Sequence, residues 1–268
     1  MSGAAFSASV AQKRPGKRIQ LRCILIGLSD LYIFKDAAMT DFPFDAVLFD
    51  CDGVLVDSEP ITNRVLAQML CEMGWRVSAE ECMRIFTGKA VKDESPLIEA
   101  RTGVRIGDDW TKAFRQRRNA ALESELAEIS GAPDAVRALH AALNGRIAVA
   151  SGADIWKVEL QLAKVGLAEC FAGRIFSGQD LPRSKPFPDV YLAAAHALGV
   201  PPSRCAVIED TVTGATAGVA AGATVFGYSP SSNGHSSPDA LRAVGAAHIF
   251  TDMSELPALL AQWRRGAE

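Results

Sequence analysis

Short apolar runs alternate with stretches of helical periodicity from about residue 131 onward. Runs that are apolar at nearly every position are typical of strands buried on both faces of a sheet. They predict strands at 146–152, 173–178, 205–211 and 223–228, with a short edge strand at 248–250. The intervening pattern predicts helices at 154–165, 189–198, 213–221 and 254–264. This alternation predicts an α/β fold with a parallel sheet that is covered by helices on both faces.

The segment 58–130 breaks the alternation, because its pattern predicts only helices, at about 59–73, 79–86, 92–102 and 109–124. It follows an apolar run at 46–49 that predicts the first strand of the sheet. We therefore predict an α/β core made of residues 41–57 and 131–268, interrupted by a helical insert at 58–130. The expected hinges are 53–58 and 130–133, and the polar stretch 229–239 predicts a mobile surface loop.

The first forty residues differ from the rest of the chain. A basic cluster at 13–18 precedes a short apolar patch at 23–28, an order that is found in signal peptides. The patch is short and Asp30 interrupts the region, and both features argue against a signal peptide. A transit peptide is the weaker alternative to the interpretation that follows. We expect residues 1–40 to be an ill-ordered extension, with Met39 as a candidate translation start.

Composition excludes several classes of protein. Of the 268 residues 49% are hydrophobic, which is enough for a substantial core, and the net charge of −3 argues against a nucleic-acid or anionic-membrane surface. No apolar run reaches the roughly 18–20 residues that a membrane helix requires. The six cysteines are scattered without a CxxC pair, which favours reduced thiols and a cytoplasmic location.

Acidic and polar side chains follow the predicted strands, where each strand ends. In open parallel sheets, ligands bind beyond the carboxyl ends of the strands, so these side chains are candidates for one site. Clustered carboxylates without histidines suit a hard divalent cation, above all Mg²⁺, and a lysine, a hydroxyl and backbone N–H groups suit phosphoryl oxygens. The candidates are Asp50, Asp52, Ser151, Gly152, Lys185, Glu209 and Asp210.

The two aspartates after the first strand can divide the work of phosphoryl transfer. A carboxylate is a possible nucleophile towards phosphorus, and it forms an aspartyl phosphate. An acid two residues further on lies on the same side of an extended segment, where it can protonate the leaving oxygen and then activate water. The residues therefore predict phosphoryl transfer through Asp50, with Asp52 as acid and base.

Four separated motifs carry a resemblance to a known family. FDCDGVLVDSE, ASG, SKPFPD and VIEDT, in this order, resemble the haloacid dehalogenase-like (HAD) superfamily, and the helical insert resembles its small α-helical cap. The resemblance covers residues 45 to about 263. It implies a Rossmann-like parallel-sheet core with an inserted cap and a Mg²⁺-dependent reaction on a small phosphate ester.

The resemblance also implies roles for individual residues. Asp50 is the nucleophile and a Mg²⁺ ligand, and Asp52 is the general acid/base, whose backbone carbonyl also touches the metal. Lys185 neutralises the phosphate and Asp50. The remaining implied roles are phosphate binding by Ser151 and Gly152, a turn near the phosphate at Gly53, a cap contact over the site at Lys89, and metal binding by Asp210 with support from Glu209.

Several activities within the superfamily stay open. True dehalogenases lack an acid at the position of Asp52, and a phosphonatase would need Lys89 or Lys92 as a Schiff base. β-Phosphoglucomutases share the cap and the VIED motif, but this chain has Thr62 near the place where such mutases carry a histidine. The stretch FSGQDLPRSKPFPD resembles sugar-phosphate phosphatases, including 6-phosphogluconate phosphatases. A non-catalytic binding protein is the third alternative, although none of the four motifs is missing.

We thus expect a phosphatase for a small phosphorylated metabolite, without nucleic-acid or membrane partners, as a monomer or weak homodimer. Other residues have simpler interpretations. Asp57 and Glu59 are expected at the hinge and in the first turn of a helix, where acids favour the dipole. Cys51 is expected to be buried packing. The four histidines, His140, His196, His235 and His248, are expected to be structural or on the surface.

Overall fold

The computed structural model describes residues 42–89, 91–230 and 235–264, and the predicted extension at 1–40 lies outside them. Within this part, the strands are β1 Ala46–Phe49, β2 Ile147–Ser151, β3 Ile175–Ser177, β4 Cys205–Glu209, β5 Thr224–Tyr228 and β6 His248–Phe250. The α-helices are α1 Glu59–Glu72, α2 Ala79–Phe86, α3 Ser95–Thr102, α4 Asp108–Glu125, α5 Ala132–Ala142, α6 Ile155–Lys164, α7 Asp189–Ala197, α8 Val212–Ala220, α9 Pro238–Ala243 and α10 Leu256–Gln262.

The six strands form one parallel sheet in the order β3-β2-β1-β4-β5-β6. β1 lies at the centre, where Phe49 pairs with Val149 of β2 on one side and with Ile208 of β4 on the other. The predicted strands and the Rossmann-like parallel α/β core are confirmed. The strand order reverses between β1 and β4, and in open α/β sheets such a reversal leaves a crevice at the strands' carboxyl ends where ligands bind.

Helices bury both faces of the sheet. Successive side chains of a strand point to opposite faces, so each strand contributes to both cores. Val47 and Phe49 of β1 face a core that contains residues of α5, α6 and α10. Ala46 and Leu48 face a second core that contains residues of α7, α8 and α9. Each fully buried Leu or Phe contributes roughly 1.5–3 kcal/mol, so the two cores hold β1 and the residues that follow it in place.

Helices α1 to α4 lie between β1 and β2 in the chain and have a small apolar core of their own, which includes Leu66, Leu70, Phe86 and Phe114. The two chain segments that lead into and out of these helices run side by side. The N–H of Asp57 donates to the carbonyl of residue 127, and the N–H of residue 129 donates to that of residue 55, each at 3.0 Å. The proposed cap limits at 58 and 130 stay a prediction.

Two local expectations need correction. Residues 132–142 form helix α5, for which no helix was predicted, and Pro133 of the expected hinge lies in its first turn, where proline's fixed φ fits. The stretch 229–239 is not a free surface loop at its described ends. Ser229 is buried, the N–H of Ser236 donates to the Asp210 carbonyl at 2.9 Å, and α9 begins at Pro238. None of the described helices combines the length and apolar composition needed to cross a membrane.

Candidate active site

The candidate active site lies beyond the carboxyl ends of β1, β2 and β4. Asp50 follows β1, Ser151 ends β2 and Glu209 ends β4, so neighbouring strands bring them together. A cavity of about 390 Å³ opens over this edge of the sheet, and we call it the site cavity. Its walls come from the strand ends on one side and from α1, α4 and residues 86–89 and 91–94 on the other.

Lys185 links the ends of β1 and β4. Its Nζ donates to Asp50 Oδ1 and to Glu209 Oε1, both at 2.6 Å, and its side chain is only 8% exposed. Burial lowers the lysine pKa, but the carboxylates of Asp50 and Glu209 outweigh burial and hold it well above its ordinary value. Lys185 is therefore a permanent cation beside Asp50, the place that the family resemblance implied for it.

Glu209 is fully buried and held by several donors. Tyr191 donates its hydroxyl proton to Oε1 at 2.6 Å, and Oε2 accepts from the backbone N–H groups of Asp210 and Thr211. The helix that follows must make room for this carboxylate, since a Cβ on Gly214 would lie 1.7 Å from Oε1. Glu209 thus serves first as the fixed partner of Lys185.

Burial and like charges disfavour ionisation at this end of the sheet. Burial, with the neighbouring carboxylates of Glu209 and Asp52, raises the pKa of Asp50 from 3.8 to about 7, although Lys185 lowers it. Burial and the same crowding hold the pKa of Asp210 well above its ordinary value. The cluster therefore needs more positive charge than Lys185 supplies before all of its carboxylates are ionised at neutral pH.

The carboxylates of Asp50, Glu209 and Asp210 fit a divalent cation. One oxygen from each lies within 4.8 Å of the others, and all three residues are buried. Asp210 Oδ1 is buried without a hydrogen-bond partner in the described part of the chain, as expected for an atom that binds an ion. An all-oxygen donor set is the kind that Mg²⁺ prefers.

Gly53 and His235 shape the wall beside Asp210. Gly53 has a φ of +78°, and a Cβ there would lie 2.3 Å from Asp210 Oδ2, so no larger residue fits. Its N–H donates to the Val56 carbonyl at 2.9 Å and is engaged in the turn. His235 Nε2 lies 3.0 Å from the Gly53 carbonyl and 3.9 Å from Asp210 Oδ2. We predicted a structural or surface role for His235, but not its position beside the site.

Asp52 borders the site cavity, and donors that the sequence analysis missed surround it. Its Oδ1 accepts from Lys157 Nζ at 2.7 Å, from Gln161 Nε2 at 2.8 Å and from Ser58 Oγ. Burial raises the pKa of Asp52, but Lys157 and the hydrogen bonds outweigh it and lower the pKa to about 2. The signal in the sequence was a lysine and a glutamine four residues apart on a helix directly after the ASG motif.

Glu59 was expected only to favour a helix dipole, but it lines the site cavity from the first turn of α1. Burial and the nearby Asp52 carboxylate raise its pKa from 4.5 to about 7. Asn63, one turn further on, donates to Glu59 Oε2 at 2.8 Å. Asp57, by contrast, is exposed. Periodicity alone could not distinguish these two neighbouring acids.

The remaining predicted residues differ in how closely they approach the carboxylates. Ser151 and Gly152 line the site cavity, and Ser151 Oγ accepts from the N–H of Ala153 at 3.0 Å. Lys89 also lines the cavity, but its side chain is half exposed and pairs with Glu94 at 3.3 Å. Lys89 therefore lies on the far wall, and its predicted contact with the substrate stays a prediction.

Two arginines of α4 connect the helical segment to the sheet side of the cavity. Arg118 is buried, and its Nη2 donates to Asp154 Oδ2 at 3.0 Å. Arg115 donates to Gln179 Oε1 at 2.9 Å, and Gln179 donates in turn to the Gly152 carbonyl at 3.2 Å. Because these contacts bridge opposite walls of the cavity, they tie α4 to the loop that follows β2.

Comparisons with known proteins show which family this chain resembles. Residues 44–222 match the family model of haloacid dehalogenase-like hydrolases. The 6-phosphogluconate phosphatase of Escherichia coli K12 is 32% identical over 216 residues, which span 80% of this chain and 94% of that protein. Two solved structures also match. A HAD family hydrolase from Deinococcus radiodurans R1, with bound phosphate and sodium, is 39% identical, with a TM-score of 0.66 and coverage of 82% and 96%.

The second structure is a haloacid dehalogenase-like protein from Agrobacterium tumefaciens. It is 33% identical, with a TM-score of 0.68, and the match covers 81% of this chain and 98% of that one. The family model spans well over half of the chain, and the relatives are matched over nearly their whole length. The chain belongs to the haloacid dehalogenase-like hydrolase family.

Proposed function

We propose that this phosphoric monoester hydrolase is a Mg²⁺-dependent phosphatase that acts on a small phosphorylated metabolite through an aspartyl phosphate on Asp50. One observation carries the proposal. Asp50 borders the site cavity while its carboxylate is held by Lys185 and lies within reach of Glu209 and Asp210. A nucleophilic carboxylate, a fixed cation and a candidate metal site thus converge where a phosphate ester can enter.

In the first half of the reaction, a carboxylate oxygen of Asp50 attacks phosphorus. The bond between phosphorus and the ester oxygen breaks, its electron pair goes to that oxygen, and Asp52 gives the oxygen a proton. Asp52 is ionised in the ligand-free chain, because Lys157 holds its pKa at about 2. The negative charge of an incoming phosphate favours protonation of Asp52, which prepares it as the acid.

In the second half, water attacks the aspartyl phosphate. Asp52, now an anion, takes a proton from the water, and the bond between phosphorus and the Asp50 oxygen breaks to release phosphate and the free carboxylate. Ser151 and Gly152, on the wall of the cavity, would bind the other phosphoryl oxygens.

Asp50 and Asp210 would hold the Mg²⁺ ion, with Glu209 within reach and the Asp52 carbonyl as a further ligand. When bound, the ion supplies positive charge that reduces the repulsion between the carboxylates and the phosphate. The protein's own contribution is the buried wall of carboxylates and the fixed position of Lys185.

A sugar phosphate, or a compound like 6-phosphogluconate, is the proposed substrate class. The relative with the name 6-phosphogluconate phosphatase supports this choice, and so does a cavity of about 390 Å³ with acidic, amide and basic side chains on its walls. We propose that residues 58–130 act as a cap that excludes water from the site. The described cysteines are all free, which favours the proposed cytoplasmic location.

A panel of phosphorylated metabolites tests the proposal, with released phosphate as the readout in Mg²⁺ and in EDTA. We expect turnover of at least one sugar phosphate in Mg²⁺ only, and complete loss of turnover in Asp50→Asn. The matched control is Asp57→Asn, which removes an exposed carboxylate from the same segment and should keep activity. Near-normal activity of Asp50→Asn would refute the nucleophile. β-Glucose 1-phosphate in the panel distinguishes a mutase, which would yield glucose 6-phosphate instead of free phosphate.

A further inference from the structure

Asp52 is held at one of its two carboxylate oxygens. Oδ1 accepts from Lys157, Gln161 and Ser58, and these three donor residues are buried. In the described part of the chain, Oδ2 has no hydrogen-bond donor, although Asp52 borders the site cavity. Three donors on one oxygen fix the rotation of the carboxyl group more firmly than one donor could.

The two donors of α6 are themselves fixed. Lys157 and Gln161 are four residues apart, so they lie on one face of the helix. Asp154 caps the start of α6 by accepting from the Lys157 N–H at 3.1 Å. Cys51 Sγ donates to Gln161 Oε1 at 3.3 Å, which turns the amide so that Nε2 faces Asp52. The arrangement is therefore built into the helix and does not depend on exposed, freely rotating side chains.

We propose that Lys157 and Gln161 are positioning residues that hold Asp52 by Oδ1 and leave Oδ2 to exchange the proton with the leaving oxygen. In the acid step the Oδ2–H bond breaks, its proton goes to the ester oxygen, and that oxygen has received the electron pair of the broken bond to phosphorus. The inference rests on the proposed role of Asp52 and adds which residues orient its carboxyl group.

The choice of leaving group distinguishes a loss of Asp52 orientation from a loss of substrate binding. p-Nitrophenolate departs readily without a proton, whereas a sugar alkoxide needs one, so only the sugar ester depends on a well-placed acid. The measured quantity is kcat/KM for 6-phosphogluconate, or for the most active sugar phosphate of the panel, divided by kcat/KM for p-nitrophenyl phosphate. This ratio does not depend on the fraction of the enzyme that is folded, so a destabilised variant remains informative.

Three variants and two references are compared. Gln161→Leu removes a neutral donor, so it tests position without changing the charge, and Lys157→Met removes the cationic donor. We expect each to lower the ratio about 10-fold or more, within the roughly 10²–10⁴-fold expected for Asp52→Ala. Lys157→Arg should restore most of the ratio. Glu159→Gln changes an exposed residue of the same helix and should leave it unchanged.

The outcomes separate this inference from the proposed function. If Asp52→Ala lowers the ratio but Gln161→Leu and Lys157→Met do not, the positioning role is wrong and the acid role of Asp52 stands. If both substrates lose kcat/KM equally in Lys157→Met, the lysine binds the shared phosphoryl group, which also overturns the inference. An unchanged ratio in Asp52→Ala would contradict the acid role itself, and the positioning role with it.

Discussion

Replacing Asp50 by asparagine should stabilise the metal-free protein while it abolishes turnover. The carboxylate is buried beside the acids Glu209 and Asp210, and its pKa rises from 3.8 to about 7. Between these two values the folded chain binds a proton that the unfolded chain has lost, so stability falls as the pH rises through this window. Asparagine is neutral and similar in shape to the protonated acid, and its stability contribution does not change with pH.

The size of the effect follows from the pKa. Each pKa unit corresponds to about 1.4 kcal/mol, so the ionised Asp50 costs about 4 kcal/mol once the pH exceeds about 7. The favourable contact with Lys185 is already contained in this value, since Lys185 opposes the rise in the pKa. The neighbouring carboxylates can take up part of this proton binding, which reduces the share that belongs to Asp50. We therefore expect Asp50→Asn to be more stable than the wild type by at least half of this amount, about 2 kcal/mol, above about pH 7. This difference corresponds to roughly 4–8 °C in Tm for a chain of this size.

Urea unfolding of both proteins in EDTA, at about pH 5 and about pH 8, measures the difference. About two pH units of the window lie between these two pH values, so we expect the advantage of Asp50→Asn to grow by about 1–3 kcal/mol from the lower to the higher pH. Asp57→Asn is the control, because that carboxylate is exposed and should show no such growth. An advantage that shrinks with pH, or a variant less stable than the wild type at about pH 8, would refute the electrostatic reasoning.

Three further predictions concern the supports of the site. Gly214→Ala places a Cβ 1.7 Å from the buried Glu209 Oε1, so it should lower the unfolding free energy by about 1–3 kcal/mol and reduce kcat. Its control is Gly107→Ala, where a Cβ meets no atom within 4 Å and activity should change little. Arg118→Met should cost about 2 kcal/mol in urea unfolding, whereas Arg117→Met, at an exposed ion pair, should cost less than about 1 kcal/mol; equal costs would contradict the buried contact. Mg²⁺ at about 100 times its Kd should stabilise the wild type by about 2.7 kcal/mol in thermal unfolding, and an equal shift in Asp210→Asn would exclude that residue as a ligand.

The sheet was predictable because its signal is local. Strands buried on both faces read as continuous apolar runs, and the acids at their ends read as site residues because parallel strands end at one edge. Asp50, Ser151 and Glu209 were found by this rule, and the structure brings all three together. Helix α5 was not predicted, because residues 130–133 were interpreted as a hinge, whereas Pro133 lies in the first turn of this helix.

The surroundings of Asp52 were harder to predict, because they depend on contacts over long sequence distances. Lys157 and Gln161 lie more than 100 residues from Asp52, and a polar residue on a helix is usually exposed. Their spacing of four residues placed them on one face, but only the packing of α6 against the end of β1 shows that this face meets the site. The position of His235 beside the site depends on a contact of the same long-range kind, with the Gly53 carbonyl.

The central claim is that Asp50 carries the phosphoryl group during turnover. Acid quenching of the enzyme during steady-state turnover of p-nitrophenyl phosphate in Mg²⁺, followed by intact mass and peptide mass spectrometry, tests it directly. We predict a fraction of the enzyme that is heavier by one phosphoryl group, sensitive to hydroxylamine and located at Asp50. In Asp52→Ala the second half of the reaction should be slow, so the phosphorylated enzyme should accumulate. Turnover by this variant without any phosphorylated enzyme, or a label at a residue other than Asp50, would contradict the account.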